Sequence, residues 1–350
     1  MVDTLESQLL VACVRARYDP AFLDEARRIV GEGDVRWDDF LHQTAEHAVA
    51  PIVYHTFRDE QDLFPDRVNR KLQVSYYHTA FRNTSLYAQL GQILGRLADA
   101  DKPTMLLKGA ALAQELYRNV ALRPVGDVDL LVRHRDWSYT EHLLLHQGLE
   151  ASLAHPDFGD HSVFRIRGPL LIDLEVHPHI VGPPYYRRQM SEEWLWQDAR
   201  PLSINDAPTL MLSTEKAAIH ACLHLLQHQV SHLRWVCDIV EMCRDESFDW
   251  NTLVSLVLEA RIVLPVRIAL ERCQALLGLP LPDRVLERLN SARTGPLDRA
   301  AYLCCLSGRH SPASIVLFNF VVMPGLRPRF AYLSYWLSSK RRRIIAARQL

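Results

Sequence analysis

Neither sign of charge dominates this chain. Its 40 lysines and arginines stand against 41 aspartates and glutamates, a formal net charge of −1. Overall charge therefore points to neither nucleic acid nor anionic membrane as a partner, and a nucleic-acid binder would need a local basic surface. No C-x-x-C pair occurs among the seven cysteines, Cys13, Cys222, Cys237, Cys243, Cys273, Cys304 and Cys305. An odd, scattered set of thiols argues against a disulfide framework or a cysteine zinc site and for buried free thiols in a reducing compartment. Nor does any apolar run reach the roughly 18 residues of a membrane-spanning helix. The nearest approach, Ile315 to Met323, contains Asn319 and stops at Pro324-Gly325. Asp3 and Glu6 stand where a secretory leader carries positive charge and then an apolar stretch, so the expected location is the cytoplasm. Internal repeats and low-complexity segments are absent as well.

What is present suits a folded protein. The 350 residues, 48% hydrophobic and 23% charged, have room for two or three structural units around a sizeable core. Residues 1–100 read as an N-terminal helical region. Asp3 and Glu6 have capping-box spacing ahead of Leu5, Leu9, Leu10 and Cys13. Pro65 to Ala100 carries one long helical pattern that includes Leu72, Val74, Tyr77, Phe81, Leu86, Leu90, Leu94 and Leu97. At Lys102-Pro103 the character changes to strand, turn and helix: Thr104–Leu107, Lys108-Gly109, then Ala110–Tyr117. Asp127-Val128-Asp129-Leu130-Leu131-Val132 suits a buried strand. Asp136 can cap a helix that stops at Gly148, and His161–Arg167 with Leu170–His177 reads as a hairpin around Gly168-Pro169. Residues 101–182 are thus a small α/β core. After Pro183-Pro184 the chain is expected to return to helices over residues 183–350, with one long periodic stretch from Thr214 through Met242. The fold class is α+β, mostly helical, a small mixed sheet flanked by two helical regions. At the far end Lys340-Arg341-Arg342-Arg343 follows Phe330–Leu337. Such a tail could make weak contact with an anionic membrane surface; the preferred reading is a final helix packed on the body with its basic end in water.

The chemistry-bearing residues are carboxylates. Strand side chains alternate with period two, so Asp127 and Asp129 share one face and Val128 and Leu130 the other. Paired carboxylates repel unless cations hold them, and magnesium, a hard cation, suits oxygen ligands. The same alternation puts Asp173, Glu175 and His177 on one face and Ile172, Leu174 and Val176 on the other. Taken alone, that second strand reads equally well as a half-exposed sheet surface. Upstream, Gly109 at the turn into a helix lets the backbone approach a phosphate, and Lys108 adds positive charge there. An ordinary turn with a solvated lysine accounts for this segment as well. Arg123 either pairs with the carboxylates or clamps a phosphate.

Taken in order, these pieces resemble the uncharacterised nucleotidyltransferase family of bacteria, within the polymerase-β-like superfamily. They are Leu107-Lys108-Gly109-Ala110-Ala111-Leu112-Ala113, Leu116-Tyr117, Arg123, Gly126-Asp127-Val128-Asp129-Leu130-Leu131-Val132 and Glu175-Val176-His177. A second match, His224-Leu225-Leu226-Gln227-His228 followed by Leu233-Arg234-Trp235-Val236-Cys237-Asp238, is similar to that family's H-x-x-x-H and R/K-W-x-x-D stretches. Two departures stand out. Lys108-Gly109-Ala110 replaces the superfamily's Gly-Ser, so no serine hydroxyl holds phosphate there, and Pro178 stands where the family often has Trp. The resemblance implies that Asp127, Asp129 and Glu175 are the catalytic, metal-binding carboxylates, with Asp173 the rival for the third position. Two Mg2+ ions are implied. Lys108, Gly109, Arg123, His224 and His228 would bind nucleotide, ATP among the candidate triphosphates. The implied reaction moves a nucleoside monophosphate from a triphosphate to an unknown hydroxyl, releasing pyrophosphate. A small molecule, peptide or glycan is preferred over tRNA as acceptor. The alternative is a catalytically silent nucleotide-binding or scaffold protein of the same fold. A glycosyltransferase ranks third, because the first 100 residues lack a nucleotide-sugar-binding α/β pattern.

His220, His224, His228 and His232 recur every four residues in a helical stretch, roughly on one stripe. The missing glutamate of H-E-x-x-H argues against a zinc hydrolase. His220 and His232 are read as structural, Trp235 as core, and Asp238 is left without a role.

Overall fold

The structure is a computed structural model that describes residues 4–60, 62–151, 161–166, 171–180, 184–227, 232–292, 316–317, 320, 323 and 325–346. Five helices open the chain: α1 (Leu5–Arg15), α2 (Ala21–Glu32), α3 (Trp37–Glu46), α4 (Ala50–Phe57) and α5 (Asp66–Asp99). The cap of α1 sits one residue later than its spacing predicts. Thr4 is the N-cap, and its hydroxyl accepts the Ser7 N–H at 3.2 Å. Glu6 turns inward rather than back to the cap, because a cation waits there: it accepts the backbone N–H and the guanidinium of Arg36, each at 3.1 Å.

Helix α5 has 34 residues and runs ~50 Å at 1.5 Å per residue. Its C-terminal half presents Leu86, Leu90, Leu94 and Leu97 at helical spacing, all fully buried against the sheet. Each contributes roughly 2 kcal/mol of apolar burial. Val74, Tyr77 and Phe81, which belong to the same apolar pattern, face solvent instead. Gly91 is needed for contact: a Cβ there would come within 2.9 Å of the Ile204 carbonyl oxygen.

The sheet has seven strands, β1 (Thr104–Leu107), β2 (Asp127–Val132), β3 (Glu150–Ala151), β4 (Ser162–Ile166), β5 (Ile172–His177), β6 (Arg200–Ile204) and β7 (Ala207–Met211). Their order is β3-β4-β5-β2-β1-β7-β6. Strand β2 runs antiparallel to β1 and parallel to β5, and β7 is parallel to β1, so the sheet is mixed. Helix α6 (Lys108–Glu115) follows β1, α7 (Trp137–His146) follows β2, and α8 (Pro184–Gln189) and α9 (Glu192–Trp196) follow β5. Asp136 precedes α7 but bonds Lys102 Nζ at 2.9 Å instead of the helix end. Strands β4 and β5 pair as the predicted hairpin; Gly168-Pro169 lies outside the described residues.

Strands β6 and β7 lie where the sequence predicts only helices. Pro201 and Pro208 interrupt their alternation, and proline reads as a strand breaker. Both are tolerated because β6 is the sheet edge and β7 meets β1 only at Leu210 and Met211. Asn205 and Asp206, at φ 47° and 65°, make the tight turn between them.

The C-terminal half carries α10 (Thr214–Gln227), α11 (Leu233–Arg244), α12 (Trp250–Glu259), α13 (Val263–Leu277), α14 (Asp283–Ser291) and a last helix, Leu326–Ala346. The stretch from Thr214 to Met242 is therefore two helices, not one. The side chains of Lys340 to Arg343 lie outside the described residues. Cys13, Cys222, Cys237, Cys243 and Cys273 are buried free thiols, as expected; Cys304 and Cys305 fall outside the described set. Among the described residues no helix is long and apolar enough to cross a membrane. One hydrophobic core fills the helical regions, another lies between α5 and the sheet, and a small third packs Met105, Leu107 and Leu131 of the opposite sheet face against Leu195 and Trp196 of α9; beside it a cleft separates that face from α10 and α11.

Candidate active site

The alternation of β2 and β5 decides which side chains enter that cleft. Val128, Leu130 and Val132 with Ile172, Leu174 and Val176 pack into the core shared with α5. Asp127, Asp129, Asp173, Glu175 and His177 are left on the other face. The parallel register then puts Asp129 beside Glu175 and Asp127 beside Asp173. One ligand atom each from Asp129, Glu175 and His177 lies within 4.8 Å of the others. His177 Nε2 is 3.1 Å from Asp129 Oδ1 and 3.3 Å from Glu175 Oε2. These are ion-pair distances, yet the ring nitrogen is aligned as a hydrogen bond to neither. Asp173, by contrast, turns to Arg165 on β4 at 3.2 Å. Asp127 stands two residues along the same face, outside the triad.

Lys108 brings a permanent positive charge to these carboxylates. Lys108 Nζ donates to Asp129 Oδ1 at 2.8 Å, and its backbone takes a left-handed φ of 45° at the sharp turn from β1 into α6. His161 stacks on His177 with ring centroids 4.9 Å apart. Burial pushes the Asp129 carboxyl upward, but Lys108 and then His177 outweigh it and hold its pKa well below the usual range. Burial, then Asp129, raises Asp127. His177 lowers Glu175 against the opposing effect of burial. Burial disfavours the His177 imidazolium, but Asp129 and Glu175 raise its pKa above the ordinary value. Carboxylate oxygens with an adjacent imidazole nitrogen suit magnesium or manganese, and His177 Nε2 would ligate such an ion only as the neutral imidazole, after giving up its proton.

A cavity extends from these carboxylates under α10 and α11. Lys108, Gly109, Arg123, Asp127, Asp129, His220, His224, Arg234, Trp235 and Asp238 are on its wall. Arg123 is placed by Asp238, not by the acidic triad. Its Nη2 and Nε donate to the two carboxylate oxygens at 2.7 and 3.2 Å, and its Nη1 donates to the Pro124 carbonyl at 2.7 Å. Tyr117 Oη adds a third donor to Asp238 at 2.9 Å. The guanidinium lies against Gly109, where a Cβ would stand 2.5 Å from Nη1; glycine is required at this turn by that close approach.

The histidine stripe is broken. His220 is buried, and burial, reinforced by Lys108, pushes its pKa down to about 3. The His224 ring stands edge-on to Trp235 at 4.8 Å. His228 lies outside the described residues. His232 has extended backbone at the start of α11 and reaches the Glu46 carbonyl through Nδ1 at 2.7 Å. Trp235, expected in the core, is partly on the cavity wall. The role of His177 was within reach of the period-two argument; those of Asp238 with Tyr117, of His161 and of Arg234 were not, since nothing local in sequence ties them to β2.

Residues 33–278 match a family described as uncharacterised nucleotidyltransferase. No curated protein matches the chain significantly. A solved structure, an antigenic nucleotidyltransferase-like protein from Paracoccidioides brasiliensis, is 21% identical, covers 55% of this chain and 93% of its own, and superposes with a TM-score of 0.37. A score that low carries no argument about the site.

Proposed function

Since the chain belongs to the family of uncharacterised nucleotidyltransferases, we propose that it transfers a nucleoside monophosphate from a nucleoside triphosphate to a hydroxyl acceptor and releases pyrophosphate. The observation that carries this reading is the convergence of Asp129 and Glu175, from neighbouring parallel strands, with Lys108 bonded to Asp129 on the wall of the adjoining cavity. Asp127, Asp129 and Glu175 are the catalytic carboxylates and would hold two magnesium ions, with His177 beside them. When bound, such ions offset phosphate charge and polarise the reacting oxygens. Glu175 is preferred to Asp173 as the third carboxylate, because Asp173 is engaged by Arg165.

The chain's own groups do the rest. Gly109 lets the backbone approach the phosphates, and Lys108 beside it would offer them its ammonium. Arg123, fixed by Asp238, supports this turn from behind, and His224 with Trp235 lines the nucleoside side. His228 belongs to the nucleotide set by resemblance. The acceptor hydroxyl gives its proton to a carboxylate oxygen of the set, its oxygen bonds to the α-phosphorus, and the bridging oxygen leaves with pyrophosphate. No protein nucleophile is required. The acceptor is a small molecule, peptide or glycan rather than tRNA, given the near-neutral charge.

Incubating the protein with each labelled triphosphate, ATP first, magnesium or manganese and candidate acceptors tests this, with Asp127→Asn and Asp129→Asn in parallel. Metal-dependent label transfer, lowered by about 10³-fold or more in either variant, is expected. Metal-dependent binding without transfer would favour the silent scaffold, and absence of both would end the enzyme reading.

A further inference from the structure

The charges around the cavity do not balance pairwise. Lys108 is matched to Asp129 and Arg123 to Asp238. Arg234, on the same wall, has no carboxylate within 4 Å among the described residues. Its Nη1 makes a long 3.3 Å bond to the Pro124 carbonyl, and its Nε is buried without any acceptor. Other part-buried arginines in the fold have partners: Arg17 has Glu241, and Arg133 has Glu192 at 3.2 Å. Arg234 instead neighbours Arg123. Burial, and then the like charge of Arg123, pulls its pKa down to about 10, which still leaves it protonated at neutral pH. A guanidinium held out of water beside another guanidinium is costly unless an anion joins it.

We infer that Arg234 is the anchor of a polyphosphate site in this cavity, gripping a diphosphate group on the α11 side. A guanidinium presents parallel N–H groups that match phosphate oxygens, and Arg234 on the cavity wall commits only one long Nη1 bond inside the fold. Asp238 is already shared between Arg123 and Tyr117, so it does not compete for Arg234. The cavity thus carries carboxylates on β2 and, on α11, a cation that no described carboxylate contacts directly, with Asp238 and Asp127 acting on it only at longer range. Resting on the nucleotidyl-transfer reading, the occupant is the β,γ-diphosphate of the triphosphate, and afterwards the pyrophosphate product. The unpaired guanidinium itself is independent of that reading.

The test is calorimetric titration of the full chain with magnesium pyrophosphate, for wild type, Arg234→Gln and Arg234→Lys. Arg234→Gln should weaken binding at least about tenfold, which is roughly 1.4 kcal/mol, and Arg234→Lys should recover part of it. Thermal melting separates an anchor from a structural arginine. Removing an unpaired buried charge should leave ligand-free Arg234→Gln as stable as wild type or more so, whereas a structural arginine would leave it less stable. Wild type that does not bind pyrophosphate, Arg234→Gln binding within twofold of wild type, or a destabilised ligand-free Arg234→Gln would each overturn the anchor. Pyrophosphate bound through Arg234, with no triphosphate bound or turned over, would defeat nucleotidyl transfer alone. Transfer with an unchanged KM in Arg234→Gln would defeat the anchor alone.

Discussion

Replacing Asp238 by alanine should cost this protein a large part of its stability. The carboxylate accepts bonds from Arg123 Nη2 at 2.7 Å, Arg123 Nε at 3.2 Å and Tyr117 Oη at 2.9 Å. The two charged side chains are only 5% and 4% exposed, so solvent screens the pair little. Alanine strands a buried guanidinium and a buried hydroxyl together. Removing one partner of such a pair costs about 3–5 kcal/mol, most of it the desolvation of the charge left behind. At about 2–4 °C per kcal/mol for a chain of this order of size, melting should fall by about 10 °C. Arg123 has no other carboxylate within 4 Å among the described residues, and Gly109 and Pro124 hem in its planar group, so it has little room to find a new partner. Asp238→Asn, which keeps the shape and one acceptor, should fall in between. The double variant Arg123→Met/Asp238→Leu removes both charges and should recover most of the loss, because two apolar groups of similar volume leave nothing charged unpaired. Scanning calorimetry on wild type, Arg123→Met, Asp238→Leu and the double variant closes the cycle. An Asp238→Ala shift under 2 °C, or single losses that simply add in the double variant, would refute a buried pair that acts as a unit.

Gly109→Ala should lower transfer activity about tenfold or more and melting by a few degrees, since its methyl needs space held by the pinned Arg123 guanidinium; initial rates and melting curves check both. Glu175→Gln should abolish metal-dependent transfer while Asp173→Asn changes it less than about threefold; the reverse pattern would reassign the third carboxylate. His220 is neutral in the fold, with its pKa near 3 against about 6.5 in the unfolded chain. The unfolded state therefore binds the proton first as pH falls, and stability is lost below about pH 6.5 at up to ~1.4 kcal/mol per pH unit for this group. His220→Leu should flatten that slope in urea titrations between pH 6.5 and 5, and an unchanged slope would contradict the assignment.

Period-two alternation was enough to put Asp127 with Asp129, and Glu175 with His177, on shared faces, because a strand leaves its side chains no other choice. The helical run of α5 and the strand–turn–helix at Lys108-Gly109 were legible for the same reason: their signals are local. The hairpin of β6 and β7 was not, since Pro201 and Pro208 deny it a local strand signature and only the sheet edge makes them harmless. The histidine stripe looked continuous because spacing alone does not report where α10 gives way to α11. Above all, the partners across the cleft were invisible in sequence. Register along β2 and β5 chose Glu175 over Asp173 as the neighbour of Asp129, and the packing of α11 over β2 gave Arg123 to Asp238 and left Arg234 without a counter-charge. Local patterning determined which faces carry the chemistry; desolvation and charge pairing between distant segments, which exist only once the chain has folded, decided which of those groups meet.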